Sequence, residues 1–239
     1  MEIIKKLDHI VNWIQREVLK AKAKGVIVGI SGGIDSALVA YLAKEAFPYN
    51  SLGVLIPINS ERWFDLEDGL ELAYQLGLRY RIVNLEEQYK AIKSQINLNN
   101  DLINGNLQAR LRMMTIYALA QEHNYLVLGT DNKAEYDLGY FTKYGDGGCD
   151  LLPISHLFKS EVFEYAKAIG IPKTILKKTP SAGLWAGQSD EKELGFSYND
   201  YELFCKNKLY DNEIRDKIIK QINKTNHKRQ PIPQFKESR

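Results

Sequence analysis

The most constraining feature of the sequence is an apolar run, residues 25–30 (GVIVGI), that ends in the small and polar stretch Ser-Gly-Gly-Ile-Asp-Ser, residues 31–36. Apolar residues then resume with helical spacing as far as Phe47. In the run itself, apolar side chains follow one another almost without interruption, which is typical of a parallel strand covered on both faces. The stretch therefore predicts a buried strand, a tight turn and a helix.

The same alternation of strand and helix continues along the first half of the chain. Strands are predicted at residues 25–30, 52–58, 79–85 and 125–130, and helices at residues 3–19, 36–47, 61–76, 86–97 and 104–122. Alternating units of this length are typical of an α/β fold, a doubly wound parallel sheet flanked by helices. We expect a single domain over residues 1–239.

The second half of the chain has a different sequence pattern. Residues 137–155 (DLGYFTKYGDGGCDLLPIS) are rich in glycine, aspartate and aromatic residues and have no clear period, which favours a shaped functional surface over a simple connection. After them we predict helices at 159–169, 198–206 and 211–223, a mobile loop at 179–197 and a basic tail at 224–239.

The composition excludes several classes of protein. The 32 basic and 30 acidic residues nearly balance, so the charge does not indicate a nucleic-acid partner. Cys149 and Cys205 are far apart and lack metal-binding or disulfide spacing. No apolar stretch approaches the roughly 18 residues that span a membrane, and no secretory signal is present. We expect a cytoplasmic enzyme with no membrane partner.

The turn after the first strand has the chemistry of an anion site. Glycines allow a sharp turn and a close approach of backbone to ligand, and the first amides of the next helix are unpaired. These amides and the hydroxyls of Ser31 and Ser36 suit phosphate. Asp35 would repel phosphate unless it holds Mg²⁺, which bridges carboxylate and phosphate oxygens. The alternative is a glycine-rich turn in which serine or aspartate caps the helix.

Two common phosphate loops do not match, because the stretch lacks both the Gly-Lys-Ser/Thr ending of a Walker A loop and the spacing G-x-G-x-x-G. Instead, SGGIDS resembles the pyrophosphate-binding loop of the N-type ATP pyrophosphatases. Further stretches, in collinear order from about residue 3 to 233, resemble the NAD synthetase family, whose fold is adenine nucleotide alpha hydrolase-like. These stretches are residues 106–120 (NLQARLRMMTIYALA), 129–135 (GTDNKAE), 139–155 (GYFTKYGDGGCDLLPIS) and 227–229 (HKR).

The resemblance implies a two-step reaction with ATP as co-substrate. ATP activates the nicotinate carboxylate of deamido-NAD⁺ as an adenylate and releases pyrophosphate, and ammonia then attacks the activated carbonyl to give NAD⁺ and AMP. Both nucleophiles come from the substrates, so the protein has mainly to position them and neutralise charge. No protein nucleophile is expected.

The resemblance also implies the ATP and metal sites. Asp35 and Glu135 would hold Mg²⁺. The residues that would contact ATP are Gly29, Ile30, Ser31, Gly32, Gly33, Ile34, Asp35, Ser36, Thr130, Lys159 and Ser181. Structural alternatives exist: Glu135 as an ordinary carboxylate in the first turn of a helix, Thr130 or Asp131 as a helix N-cap, and Lys159 as a solvated lysine.

A second set of residues would bind deamido-NAD⁺. By the same resemblance it comprises Arg110, Lys143, Asp150, His227 and Lys228. Arginine and lysine suit the pyrophosphate of a dinucleotide, and a carboxylate suits ribose hydroxyls or the amide-forming end. The alternatives are a salt-bridged arginine on an exposed helix face and a solvated, disordered tail.

The family pattern also implies partners. We expect a homodimer, with the helices at 104–122 and 1–19 as candidates for the interface. Free ammonia is the expected nitrogen donor, supplied in the cell by a separate glutaminase. Two other functions stay open at this stage: adenylation of a different substrate, such as a tRNA base, and nucleotide binding without catalysis.

Overall fold

The structure, a computed structural model, describes residues 2–58, 63–97, 100–178 and 189–236. Four parallel strands form one sheet in the order β3–β2–β1–β4. The strands are β1 (Gly25–Gly29), β2 (Ser51–Leu55), β3 (Tyr80–Ile82) and β4 (Tyr125–Leu128). Ile27 of β1 pairs with Leu52 on one side and Val127 on the other, so the strand that precedes the glycine-rich turn lies inside the sheet.

Eleven α-helices lie within the described residues. They are α1 (Glu2–Lys20), α2 (Ile34–Ala46), α3 (Trp63–Leu76), α4 (Glu86–Ile96), α5 (Asp101–His123), α6 (Lys133–Leu138), α7 (Lys159–Ala168), α8 (Lys173–Leu176), α9 (Asp190–Leu194), α10 (Tyr198–Cys205) and α11 (Asn212–Thr225). A single 3-10 turn, Asn226–Lys228, follows α11. None of the described helices is long and apolar enough to cross a bilayer.

Helices cover both faces of the sheet, which confirms the predicted doubly wound architecture. On one face, α2 lies against β1 and is flanked by α1 and α7. The amphipathic stripe of α1, including Ile14 and Val18, is buried in this core. On the other face, α5 packs on β1 and β4, where Leu111 and Leu119 contact Ile27 and its neighbours.

A third apolar cluster lies beside the sheet and joins α6, α10 and α11. Its buried members include Leu138, Tyr201 and Ile218. Three short helices differ from the predicted elements: α6 follows from the sequence only as the alternative role of Glu135, α8 is not predicted, and α9 lies in the predicted loop at 179–197. These helices have four to six residues, which is too short for an apolar period to be recognised.

A buried leucine of α2 tests the core. Leu38 is fully buried where α2 packs on its neighbours. Leu38→Ala should therefore lower the free energy of unfolding by roughly 2–5 kcal/mol, because apolar burial is lost and a cavity is left behind. Leu19→Ala is the control, because Leu19 is exposed and its loss should change stability by no more than about 0.5 kcal/mol. Urea denaturation measures both; equal effects would contradict this packing.

Candidate active site

The glycine-rich turn forms an open cradle at the carboxyl end of β1. The hydroxyl oxygens of Ser31 and Ser36 lie 2.9 Å apart, the Gly33 amide donates to Ser31 Oγ at 3.2 Å, and Ser36 Oγ donates to the Gly33 carbonyl at 2.9 Å. Gly33 is the N-cap of α2, and no side chain caps that helix. The alternative of a helix capped by serine or aspartate is therefore wrong, and the first amides of α2 face an incoming anion.

Gly32 is required by the shape of this turn. Its φ of +76° is in the left-handed region, and a Cβ there would lie 2.7 Å from the Asp65 carbonyl oxygen. The start of α3 thus packs directly against the back of the cradle. Any side chain at position 32 would force the two segments apart.

A buried lysine joins two carboxylates at the mouth of the cradle. Lys159 Nζ lies 2.5 Å from Asp35 Oδ2 and 3.3 Å from Glu135 Oε1. Asp35 comes from the first turn of α2, Glu135 from α6 and Lys159 from the start of α7. The side chain of Lys159 is only 7% exposed, so the alternative of a solvated lysine is wrong.

Asn132 holds the two carboxylates in place. Its side-chain amide donates to Asp35 Oδ1 at 3.0 Å, while its backbone amide donates to Glu135 Oε2 at 3.1 Å. Its side-chain oxygen accepts from the amides of Ala134 and Glu135 and caps α6. The N-cap is thus Asn132 rather than Thr130 or Asp131, as the capping-box pattern Asn-x-x-Glu could have indicated. Glu135 both closes the capping box and joins the cluster.

Burial and charge together shift the protonation of the cluster. Burial and the neighbouring Asp35 raise the pKa of Glu135 to about 7, although Lys159 opposes the shift. Burial works against the charge of Lys159, but the adjacent carboxylates outweigh it and hold the pKa of Lys159 above its ordinary value. Burial and nearby acids also raise the pKa of Asp131 well above its usual range. Acidic groups therefore outnumber cations here.

The donor set fits a magnesium ion shared with a phosphate ligand. The carboxylates of Asp35 and Glu135 both contact the ammonium group of Lys159, so they lie close enough to share a positive charge. Hard carboxylate oxygens beside an anion cradle suit Mg²⁺, which takes one or two carboxylates plus substrate phosphates. Within the described ranges, no three His, Cys, Asp or Glu side chains are grouped to hold a metal by themselves. The ion would thus depend on the ligand's phosphates for the rest of its coordination.

The cradle and the cluster line one cleft of about 360 Å³. It opens at the carboxyl ends of β1, β2 and β4 and is bordered by α5. Residues 29–36, Thr130, Glu135 and Lys159 all line it, so the structure brings together the predicted ATP and metal residues, except Ser181, which lies outside the described residues.

Lining residues that the sequence analysis did not single out include a second lysine cluster. Lys178 donates to the Gly32 carbonyl at 3.1 Å and pairs with Asp65 at 2.8 Å and Asp68 at 2.5 Å. This cluster connects Lys178, two residues after α8, to the cradle and to α3. Arg112 of α5, which donates to the Ile56 carbonyl at 3.1 Å, also lines the cleft. The residues involved lie far apart in sequence, so no local motif could have indicated them.

The residues predicted for deamido-NAD⁺ lie outside this lining, and three of them form a chain of contacts. Arg110 donates to the Lys143 carbonyl at 3.4 Å, and Lys143 Nζ donates to the His227 carbonyl at 2.7 Å. Lys228 donates to the carbonyls of Gly139 and Phe141. Residues 227 and 228 thus contact the 139–143 segment, whereas residues 230–236 are exposed, as the alternative of a solvated tail predicts.

Asp150, the fifth residue of this set, is engaged at the edge of the sheet. Its Oδ2 accepts from the Val127 amide at 2.8 Å, and its Oδ1 accepts from the Tyr117 hydroxyl at 3.0 Å. The bond to Tyr117 connects Asp150 to α5, the helix that carries Arg110. Asp150 is therefore linked to α5 and β4, whereas Lys228 contacts the segment that follows α6.

The fold is a parallel α/β sheet with a glycine-rich anion cradle after β1, and two carboxylates surround a buried lysine at the mouth of the cradle. This combination defines an enzyme that acts on a nucleotide phosphate. The chain belongs to the NAD synthase family, whose model matches residues 6–233. This match confirms the resemblance read from the sequence.

Comparison with individual proteins gives the same family. The chain is 52% identical over 222 residues to an NH(3)-dependent NAD(+) synthetase of Mycoplasmopsis pulmonis, covering 93% of this chain and 86% of the relative. It superposes on an NMN synthetase from Francisella tularensis with a TM-score of 0.92, at 38% identity over 98% of this chain and 99% of the other. It superposes on an NH3-dependent NAD synthetase from Campylobacter jejuni with a TM-score of 0.82, at 33% identity over 99% of this chain and 100% of the other.

The pKa of Glu135 predicts a pH dependence of stability in the metal-free protein. Its value of about 7 in the folded chain exceeds the ordinary 4.5, so the folded state binds more protons between these values. The stabilisation is complete below about pH 4.5 and is lost as pH rises through 7. Glu135→Gln should flatten the decrease of the unfolding free energy across this window, measured by urea denaturation in EDTA.

Glu122→Gln serves as the control, because Glu122 is an exposed residue of α5 that pairs with Arg81. We expect its pH profile to follow the wild type. Parallel profiles for the wild type and Glu135→Gln would show that Glu135 does not titrate differently in the folded and unfolded chains.

Proposed function

We propose that this protein amidates deamido-NAD⁺ with ammonia, using ATP and passing through an adenylated intermediate, to give NAD⁺, AMP and pyrophosphate. The observation that carries the proposal is the cluster of Asp35, Glu135 and Lys159 at the mouth of the anion cradle, in a chain of the NAD synthase family. Curated relatives named NH(3)-dependent NAD(+) synthetase support ammonia as the nitrogen donor. They do not favour adenylation of a tRNA base.

In this proposal, the cradle binds the phosphates that leave as pyrophosphate. The free amides at the start of α2 and the hydroxyls of Ser31 and Ser36 donate to phosphate oxygens without adding charge. Lys159, kept protonated by its two carboxylate neighbours, supplies positive charge on the other side. Mg²⁺ held by Asp35 and Glu135 would neutralise the charge that develops on the leaving pyrophosphate.

The chemistry then needs only positioning. The nicotinate carboxylate of deamido-NAD⁺ attacks the α-phosphorus of ATP, the bond to pyrophosphate breaks, and an acyl adenylate forms. Ammonia attacks the acyl carbon, loses a proton and displaces AMP. We assign Thr130 and Ser181 to ATP contacts, and the contact chain Arg110–Lys143–His227, with Lys228 and Asp150, to the dinucleotide. The contact chain that begins at Arg110 of α5, and the bond from Tyr117 of the same helix to Asp150, support a shared ligand.

A second candidate substrate is nicotinate mononucleotide, the acid whose amidation gives NMN. The high TM-score with the NMN synthetase from Francisella tularensis favours including it. Amidation of either substrate would use the same cradle and metal cluster, and both substrates carry the nicotinate carboxylate. They differ in whether an adenylyl group must also be bound.

An assay of purified protein separates these readings. With ATP, Mg²⁺, ammonium and deamido-NAD⁺, we expect stoichiometric NAD⁺, AMP and pyrophosphate, measured by chromatography. Asp35→Asn should lower kcat/KM by about 100-fold or more, because it removes a carboxylate that neutralises Lys159 and would hold the metal. Asp8→Asn, on the exposed face of α1, is the matched control and should leave turnover unchanged.

Two further reactions complete that assay. Nicotinate mononucleotide in place of deamido-NAD⁺ should react with a lower kcat/KM; a higher value would assign the chain to NMN synthesis. Glutamine in place of ammonium should give negligible product, and full turnover with glutamine would overturn ammonia as the donor. With ammonia as the donor, a separate glutaminase would supply it in the cytoplasm, where we place the enzyme.

We also propose that the protein is a homodimer that associates through α4 and α5. The apolar stripe of α1 is buried in the core, which leaves only Ile4 and Leu19 of this helix as exposed large apolar side chains. In contrast, Ile96 at the end of α4 and Leu102, Ile103 and Met114 of α5 are all exposed. Adjacent exposed apolar side chains of this kind are typical of an interface.

Charge on this face should break the dimer. We expect the wild type to sediment as a dimer at micromolar concentration, and Leu102→Lys with Ile103→Lys to sediment as a monomer, because two buried charges would be left unpaired. Leu19→Lys, on an exposed position of α1, should remain dimeric. A monomeric wild type, or a dimeric double variant, would contradict this interface.

A further inference from the structure

We propose that Tyr198 is a positioning residue for the metal cluster: its hydroxyl holds Glu135 in place for Mg²⁺ and couples it to Asp190 of α9. This inference rests on the proposed role of Asp35 and Glu135 as magnesium ligands. Tyr198 lies 63 residues from Glu135 in sequence and belongs to the third apolar cluster, so the sequence analysis did not connect it with the site.

The contacts of Tyr198 place it at the centre of the charged groups. Its hydroxyl oxygen lies 3.1 Å from Glu135 Oε1 and 2.8 Å from Asp190 Oδ2. Lys159 Nζ lies 5.0 Å from the centre of its ring, within the range of a cation–π interaction. Tyr198 therefore contacts the buried lysine with its ring and two acids with its hydroxyl.

Both acids are sheltered from water, which makes these contacts costly to lose. Asp190 is 2% exposed and lines the cleft, and the side chain of Glu135 is 15% exposed. Tyr198 itself is 9% exposed. A tyrosine side chain facing two carboxylates, which only accept hydrogen bonds when ionised, can satisfy them only as an O–H donor. In a site with an excess of acidic groups, it is a neutral donor that adds no further negative charge.

One hydroxyl proton serves two carboxylates, and this determines what the residue does. A phenol has a single O–H, so at any moment it donates to Glu135 or to Asp190. Rotation of the O–H bond exchanges the acceptors without moving the ring. When a cation takes the charge of Glu135, the hydroxyl can donate to Asp190, and when the cation leaves, it can donate to Glu135.

The backbone around Tyr198 fixes this geometry from both sides. The Tyr198 amide donates to Glu191 Oε1 at 3.0 Å, next to Asp190 at the start of α9. Ser197 caps α10 by accepting from the Asp200 amide at 3.0 Å. The hydroxyl is thus held by the packing of α9 and α10 rather than by the cradle, and it transmits their position to Glu135.

Tyr198→Phe tests the inference, because it removes the hydroxyl and retains the ring over Lys159. We expect the Mg²⁺ concentration that gives half-maximal activity to rise about 10-fold, since a hydrogen bond to a charged group is lost. The KM for deamido-NAD⁺ should stay within about twofold of the wild type, as expected for a loss that weakens the metal site rather than the fold.

Tyr201→Phe is the matched control. Tyr201 lies on the same helix, is also buried, and donates a hydrogen bond from its hydroxyl to Asp137 at 2.5 Å, outside the cleft lining. It should lose stability to a similar extent and keep the magnesium dependence of the wild type. An equal magnesium shift in both variants would mean that Tyr198 acts through the fold alone, and would overturn the inference.

A binding measurement keeps this test separate from the proposed reaction. Thermal unfolding with ATP and Mg²⁺, compared with ATP and EDTA, reports metal-dependent binding without turnover. We expect Tyr198→Phe to lose most of the magnesium-dependent rise in Tm and to keep the rise due to ATP alone. If the wild type made no NAD⁺ yet showed this difference, the proposed reaction would fail and the role of Tyr198 would stand. An unchanged magnesium-dependent rise would overturn it.

Discussion

The pairing of Lys159 with Asp35 and Glu135 is the interaction on which the site depends. It joins the turns after β1 and β4 to the start of α7, three segments that are separate in sequence. A buried ammonium is costly unless it is paired, and two buried carboxylates repel each other unless a cation lies between them. Each group therefore makes the burial of the others tolerable. The result is a charged centre that is already assembled beside the anion cradle.

The sheet explains why these groups meet. In a parallel α/β sheet the carboxyl ends of all strands lie at one edge, so turns that are about 100 residues apart face one cleft. Two apolar cores on the faces of the sheet fix the strands, while the third cluster brings Asp190 and Tyr198 to the cleft from the side. The site is thus built on rigid elements, with its polar groups supported by Asn132, Tyr198 and Lys178.

The sheet, its flanking helices and the cradle could be predicted from the sequence because continuous apolar strands and amphipathic helices leave a local pattern. The strands proved shorter than predicted, since pairing ends before the apolar run does, as at residues 56–58. The short helices α6, α8 and α9 have too few residues for a period. The contacts of Lys178 and Tyr198 depend on tertiary packing over more than 60 residues, and no local signal carries such information.

The engagement of Asp150 has a consequence for how the sheet ends. β4 is an outer strand, and outer strands expose backbone groups to which another chain can add. Here the Asp150 carboxylate takes up the Val127 amide, the amides of residues 150 and 151 donate to the Val127 carbonyl, and Gly129 donates to the Leu151 carbonyl. A fifth strand therefore finds no free partners between Val127 and Gly129. Asp150, which is also predicted to bind deamido-NAD⁺, thus helps to block the addition of another chain at this part of the edge.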